Sequence, residues 1–107
     1  MKIAITSDGN KLDSKVDIRF GRCSYFAIYD TETKDVEFIS NPNKESNEGA
    51  GPASAQFIAS ISVQKVISGE FGNKVKSIFE SLQIQLETQS DTEKSIAEIT
   101  KSLNINK

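Results

Sequence analysis

Short segments in which hydrophobic and polar residues alternate, or in which β-forming residues dominate, predict five β-strands. The alternation is clearest around Ile3 and Ile5, and β-forming residues dominate the second and third segments. A polar turn at residues 31–35 joins those two segments into a hairpin. The predicted strands are residues 2–6, 25–30, 36–40, 64–68 and 83–87.

Apolar residues at helical spacing predict three helices between and after the later strands. The first covers residues 53–61, with Pro52 at the first helical position, where a missing N–H costs nothing. The second begins after Asn73 as its cap, and the third follows a capping-box pattern at residues 90–93. The apolar stripes are Val75, Ile78, Phe79 and Leu82 in the second helix and Ile96, Ile99 and Leu103 in the third.

The element order β-β-β-α-β-α-β-α predicts a single α/β domain over residues 1–103, with a frayed tail at 104–107. Two β-α-β units require parallel neighbouring strands, whereas the first three strands can form an antiparallel meander. The predicted architecture is therefore a five-stranded mixed sheet with helices on its faces.

In this topology, the first, third, fourth and fifth strands point the same way, so their carboxyl ends share one edge of the sheet. The segments on that edge contain all six glycines, both prolines, both arginines and the single cysteine; they are residues 7–24, 41–52, 69–73 and 88–91. The turns of the opposite edge contain no glycine or proline. Ligands of open α/β sheets bind at such an edge, so we predict a binding site there.

Composition narrows the possible functions. The 107 residues include 13 basic and 15 acidic ones, and the net charge of −2 argues against binding nucleic acid or a membrane surface by bulk charge. No histidine is present, which excludes Ser-His-Asp and Cys-His catalysis, and one cysteine excludes an intrachain disulfide. No apolar segment approaches the roughly 20 residues of a membrane span, and the N-terminus does not resemble a signal peptide, so we expect a cytoplasmic protein.

The segment around Gly21 concentrates the reactive side chains. The only two arginines, Arg19 and Arg22, lie here, and Cys23 follows directly. Gly21 allows close backbone approach, and an arginine fork suits an oxyanion. Nearby cations could lower the pKa of Cys23 and let it bind a soft metal as thiolate. Alternatively, Cys23 is a small buried hydrophobe and Arg22 forms a surface ion pair.

Two glycine segments precede predicted helices and could each form an anion seat, because helix N-termini expose unpaired N–H groups. Gly49 and Gly51 precede the first helix, while Gly69 and Gly72 lie before Asn73 and the second helix. Both segments could equally be plain turns.

Asp8 follows the first strand on the same edge and could bind a metal or orient Arg22, or belong only to a turn. Asp8 and Glu70 together would suggest a metal-dependent hydrolase or nuclease. No carboxylates at strand centres complete such a site, so we expect no enzymatic activity.

Five stretches, taken in order, resemble the dinitrogenase iron–molybdenum cofactor biosynthesis family, the NifX/NifY type of domain also found at the end of NifB. They are residues 1–9 (MKIAITSDG), 20–26 (FGRCSYF), 41–42 (NP), 49–52 (GAGP) and 68–74 (SGEFGNK). The resemblance implies a ribonuclease H-like fold without nuclease activity. It also implies binding or carrying of an iron–sulfur cluster or iron–molybdenum cofactor precursor, in contact with cluster-assembly proteins.

One position departs from the family pattern. The family commonly has histidine directly before Phe-Gly-Arg, where this chain has Arg19. The resemblance then implies Cys23 as the remaining metal ligand, supported by Arg19, Arg22 and the glycine loops. A single cysteine can hold a cluster only if other ligands come from elsewhere.

Three further functions remain open besides the cluster carrier. The edge could bind a small anionic or phosphate-bearing ligand without metal, or Asp8 and Glu70 could serve a hydrolase. The chain could also be an adaptor, with the edge strand of the hairpin pairing between subunits. We expect a monomer or a weak homodimer.

Overall fold

The computed structural model describes residues 1–46 and 48–105, with the backbone alone for the last two residues. The elements follow the predicted order. They are β1 Lys2–Ser7, β2 Tyr25–Asp30, β3 Val36–Ser40, α1 Ala50–Ser60, β4 Lys65–Ser68, α2 Asn73–Ser81, β5 Gln85–Thr88 and α3 Ile96–Ile105.

The strands form one mixed sheet in the order β3-β2-β1-β4-β5. β1 pairs antiparallel with β2 and parallel with β4, β2 pairs antiparallel with β3, and β4 pairs parallel with β5. This topology confirms the prediction that the carboxyl ends of β1, β3, β4 and β5 share one edge with the start of β2.

The pleat of the sheet divides the core into two layers, because successive side chains point to opposite faces. Ala4 of β1 faces α1 and α2 and belongs to a cluster with Phe26, Ile58 and Phe79. Its neighbours Ile3 and Ile5 face α3 in the second cluster. Two helices therefore cover one face and one helix covers the other.

Both helices at the glycine-rich edge begin one or more residues earlier than predicted. Pro52 is the third residue of α1, and Gly49 is the cap, in a left-handed conformation with φ 70°. The shift costs nothing, because the N–H groups of a helix's first turn have no intrahelical partner. Asn73 is the first residue of α2 rather than its cap, which is Gly72.

The capping box of α3 lies at Ser95 and Glu98, so the prediction of residues 90–93 is wrong. The Ser95 N–H donates to Glu98 Oε1 at 2.9 Å, and the Glu98 N–H donates to Ser95 Oγ at 3.1 Å. The backbone N–H of Ser95 is the largest cause that lowers the pKa of Glu98, and the Ser95 side chain adds to it. The chain before Ser95 instead pairs with the loop after β1, where the Val16 N–H donates to the Lys94 carbonyl.

Strand β5 and the C-terminal tail also differ from their predicted bounds. Gln83 has φ 59°, and the Ile84 N–H donates back to the Phe79 carbonyl, so β5 begins only at Gln85. Helix α3 includes 104 and 105, and the rest of the predicted tail lies outside the described residues. Within the described chain, every helix is too short or too polar to cross a bilayer.

Candidate functional site

A cleft of about 440 Å³ opens where the segment of residues 19–22 meets the N-termini of α1 and α2. It lies at the edge of the sheet where the sequence predicts a binding site. Six of the ten predicted site residues line this cleft: Arg19, Gly21, Arg22, Gly51, Gly72 and Asn73.

Two of these glycines permit the close packing that builds the cleft. A Cβ at Gly21 would lie 2.7 Å from both Cα and N of Gly51, so the segment rests directly on the backbone of α1. A Cβ at Gly51 would lie 3.0 Å from Cγ2 of Val75 in α2. The absence of side chains therefore brings one loop and two helices together.

A buried polar pair, Asn41 and Ser54, holds the carbonyl of Gly21 in place. Asn41 Nδ2 donates to the carbonyls of Gly21 and Cys23, both at 3.0 Å, and Ser54 Oγ donates to the Gly21 carbonyl at 3.1 Å. Sequence reasoning missed both residues as site components. Asn41 stood out only through the resemblance, and Ser54 gave no signal, since a serine in a helix is common.

Positive charge dominates the lining of the cleft. Among the described residues that line it, Arg19, Arg22 and Lys74 contribute cations, and Glu70 is the one acidic residue. Arg22 Nη1 donates to the Lys44 carbonyl at 3.2 Å, which orients its guanidinium. The first turns of α1 and α2 add N–H groups and the positive ends of two helix dipoles. The arrangement suits an anion with several acceptor atoms.

Lys74 is a cleft residue that the sequence analysis passed over as a candidate. It lies in the first turn of α2, directly after Asn73. Its place at a predicted anion seat was the signal that could have identified it.

Cys23 lies outside the cleft, and its environment matches the alternative of a small buried hydrophobe rather than a thiol with a lowered pKa. The side chain is fully buried in the cluster that includes Phe20 and Phe26. Burial is the largest cause that raises the pKa of the thiol to about 12, and the charge of Asp17 adds to it. The thiol therefore stays protonated at neutral pH.

Three other predicted residues do not line the cleft. Asp8 Oδ1 accepts the N–H of Lys15 at 2.9 Å and closes the turn after β1. Gly69 allows the backbone of Ile18 to approach closely, since a Cβ there would lie 2.4 Å from Cα of Ile18. Gly49 is exposed, and its φ of 70° serves the start of α1.

The structure does not bring Asp8 and Glu70 into one site. Glu70 lines the cleft, whereas Asp8 lines a second depression together with Lys15, Asp17 and Glu93. Across residues 1–46 and 48–105, no group of three histidine, cysteine, aspartate or glutamate side chains could hold a metal ion.

Known proteins share both the sequence pattern and the fold. A relative in Methanocaldococcus jannaschii, the uncharacterized protein MJ0580, is 36% identical over 89 residues, which cover 80% of this chain and 72% of that protein. The apo form of the orange protein from Desulfovibrio gigas superposes with a TM-score of 0.87 at 27% identity, over 98% of this chain and 88% of that one.

A second solved structure is the NMR structure of a candidate NifB protein from Thermotoga, TM1290. It superposes with a TM-score of 0.80 at 28% identity, over 97% of this chain and 87% of that chain. The family model described as dinitrogenase iron-molybdenum cofactor matches residues 1–104, nearly the whole chain. On this match, the chain belongs to the dinitrogenase iron-molybdenum cofactor family.

Proposed function

We propose that this protein is a non-enzymatic carrier that binds an anionic metal–sulfur cluster, such as a cofactor precursor, as cargo in the cleft. The observation that carries the proposal is that Arg19, Arg22 and Lys74 line one cleft together with the N-termini of α1 and α2. Membership of the dinitrogenase iron-molybdenum cofactor family supports cargo of this class. The TM-score with a candidate NifB protein supports a role in cofactor assembly.

The cleft favours retention by charge and hydrogen bonds over ligation by a protein thiolate. Cys23 is buried with a raised pKa, and Glu70 is the one lining side chain of a type that commonly ligates iron. The sulfide ligands of the cargo would complete its coordination, and they would accept hydrogen bonds from the arginines and first-turn N–H groups. This replaces the expectation that Cys23 ligates the metal.

A phosphate-bearing anion is the second candidate for the cleft. The observation that favours it is that every donor in the cleft, guanidinium, ammonium or backbone N–H, also suits phosphate oxygens. Both candidates predict that binding of the anion depends on Lys74 and weakens as the salt concentration rises. They differ in which anion binds.

The experiment is a titration under argon with two probes, tetrathiomolybdate as a metal–sulfide dianion and pyrophosphate as a phosphate-bearing anion. We expect tetrathiomolybdate to bind, and Lys74→Gln to weaken it about threefold, as for an exposed charge. Lys101→Gln is the matched control, since Lys101 is exposed on α3. Binding of pyrophosphate alone would favour the second candidate, and equal losses in both lysine variants would contradict a specific cleft.

The proposal also includes five further expectations for this protein. We propose that it has no catalytic activity, is cytoplasmic, contacts cluster-assembly proteins, is a monomer or weak homodimer, and has a sheet of the ribonuclease H-like motif.

A further inference from the structure

Asp17 is a buried carboxylate that does not line the cleft. It lies between β1 and Arg19 and is only 7% exposed. Its backbone is fixed on both sides: its N–H donates to the Thr6 carbonyl at 3.0 Å, and its carbonyl accepts Thr6 Oγ1 at 2.8 Å and the Gly69 N–H at 3.2 Å. Asp17 is therefore held firmly to β1 and to the turn after β4.

The carboxylate of Asp17 contacts Arg19 at two points. Oδ1 accepts the backbone N–H of Arg19 at 2.9 Å and lies 3.5 Å from its Nε. The Asp17 side chain is 8% exposed, whereas that of Arg19 is 56% exposed. A fixed, buried acceptor thus contacts the Nε of an exposed guanidinium, and these two contacts leave the Nη groups free to act as donors.

Arg19 needs such a fixed acceptor because it lies between two surface depressions. It lines the cleft, and it also lines the second depression together with Asp8, Asp17 and Glu93. On that side Asp8 and Glu93 accept hydrogen bonds from Lys15, and Asp17 is the carboxylate that contacts Arg19.

We propose that Asp17 is a positioning residue, which holds the Arg19 guanidinium at the cleft so that its Nη groups face the anionic cargo. The proposal rests on the proposed function for its purpose, although the placement of Arg19 can be tested without any ligand. Asp17 also limits the affinity of the cleft for an anion, because its negative charge offsets part of the positive charge of Arg19.

Two substitutions separate this role from a merely structural one. Asp17→Ser keeps an oxygen that can accept the Arg19 N–H two residues on, but that oxygen is too short to reach Nε. Asp17→Asn keeps an acceptor for both contacts and removes the charge. Asp35→Asn is the charge-matched control, because Asp35 is exposed in the turn at the opposite edge of the sheet.

The ligand-free experiment measures solvent exchange of the arginine Nε–H groups by ¹⁵N NMR. The chain has only two arginines, so Arg22→Lys assigns the two signals. We expect Asp17→Ser to speed exchange of the Arg19 signal about tenfold, as for loss of a hydrogen bond to a charged group. In Asp17→Asn the exchange rate of the Arg19 signal should stay closer to the wild-type rate, and in Asp35→Asn it should equal the wild-type rate. An unchanged Arg19 rate in folded Asp17→Ser overturns the proposal.

The binding experiment uses tetrathiomolybdate with the same variants. We expect Asp17→Ser to weaken binding several-fold and Asp17→Asn to equal or exceed the wild type, with a steeper dependence on salt. If the wild type binds and Asp17→Ser binds equally well, the positioning role fails while the carrier function stands. If the wild type does not bind, the carrier function fails, and the exchange rates still decide whether Asp17 positions Arg19.

Discussion

Gly21 leaves no room for a side chain, because the segment that contains it rests on the backbone of α1 at Gly51. At this scale, single atoms decide whether the cleft forms. Cys23 is a second example, because its thiol lies in the core although its neighbours Arg22 and Ser24 are half-buried. Residue type and sequence position identify candidate side chains such as Arg22 and Cys23, but tertiary packing decides whether each side chain faces the core or the cleft.

Gly21→Ala should destabilise the protein by about 1–3 kcal/mol, the usual cost of forcing an atom into a packed site. The new Cβ would lie 2.7 Å from backbone atoms of Gly51, so one of the two segments must move. Thermal unfolding followed by circular dichroism measures the change. Gly72→Ala is the control, because no atom of another segment of the chain lies within 4 Å of a Cβ there. Equal losses in both variants would contradict the contact.

Cys23 should make the stability of the protein fall as pH rises above 9. Burial raises the pKa of the folded thiol from its ordinary value of 9.0 to about 12, so between these values the unfolded chain loses a proton that the folded chain keeps. Stability therefore decreases with pH in that window. Urea unfolding of wild type and Cys23→Ala at several pH values measures the difference, and parallel pH profiles would contradict a buried, neutral thiol.

At the scale of elements, the sheet was predictable and the helix starts were not. Strand β1 is buried on both faces, with Ala4 in one cluster and Ile3 and Ile5 in the other, and β2 and β3 match their predicted bounds. The start of α3 depends on a contact between distant segments, in which residues before Ser95 pair with the loop after β1. A local capping pattern at 90–93 carries no information about that pairing.

Ser95→Ala should destabilise the protein by about 1 kcal/mol, the typical cost of losing a helix cap. The Ser95 hydroxyl accepts the Glu98 N–H at 3.1 Å, so its removal leaves that donor without its partner. Chemical denaturation measures the loss. Ser90→Ala tests the pattern that sequence reasoning favoured, and we expect it to change stability by less than half as much. A larger loss at Ser90 would contradict the observed cap.

At the scale of the whole molecule, the topology gathers scattered residues into one charged cleft. Arg19, Arg22 and the glycines were predictable as candidates, because arginine is rare in this chain and every glycine falls on one edge of the sheet. Asp17 was not, since its contacts with Arg19 depend on the path of an irregular loop. The fold brings together a set of anion-binding donors and leaves the one thiol outside.

The most direct test of the central claim compares Arg22→Gln with Cys23→Ala for retention of tetrathiomolybdate on gel filtration under argon. If the cleft holds its cargo by charge and hydrogen bonds, Arg22→Gln should weaken binding about tenfold, because it removes a charge-assisted donor. Cys23→Ala should retain the anion as the wild type does, with retention in both falling as salt rises. Loss of binding in Cys23→Ala with retention in Arg22→Gln would contradict the account.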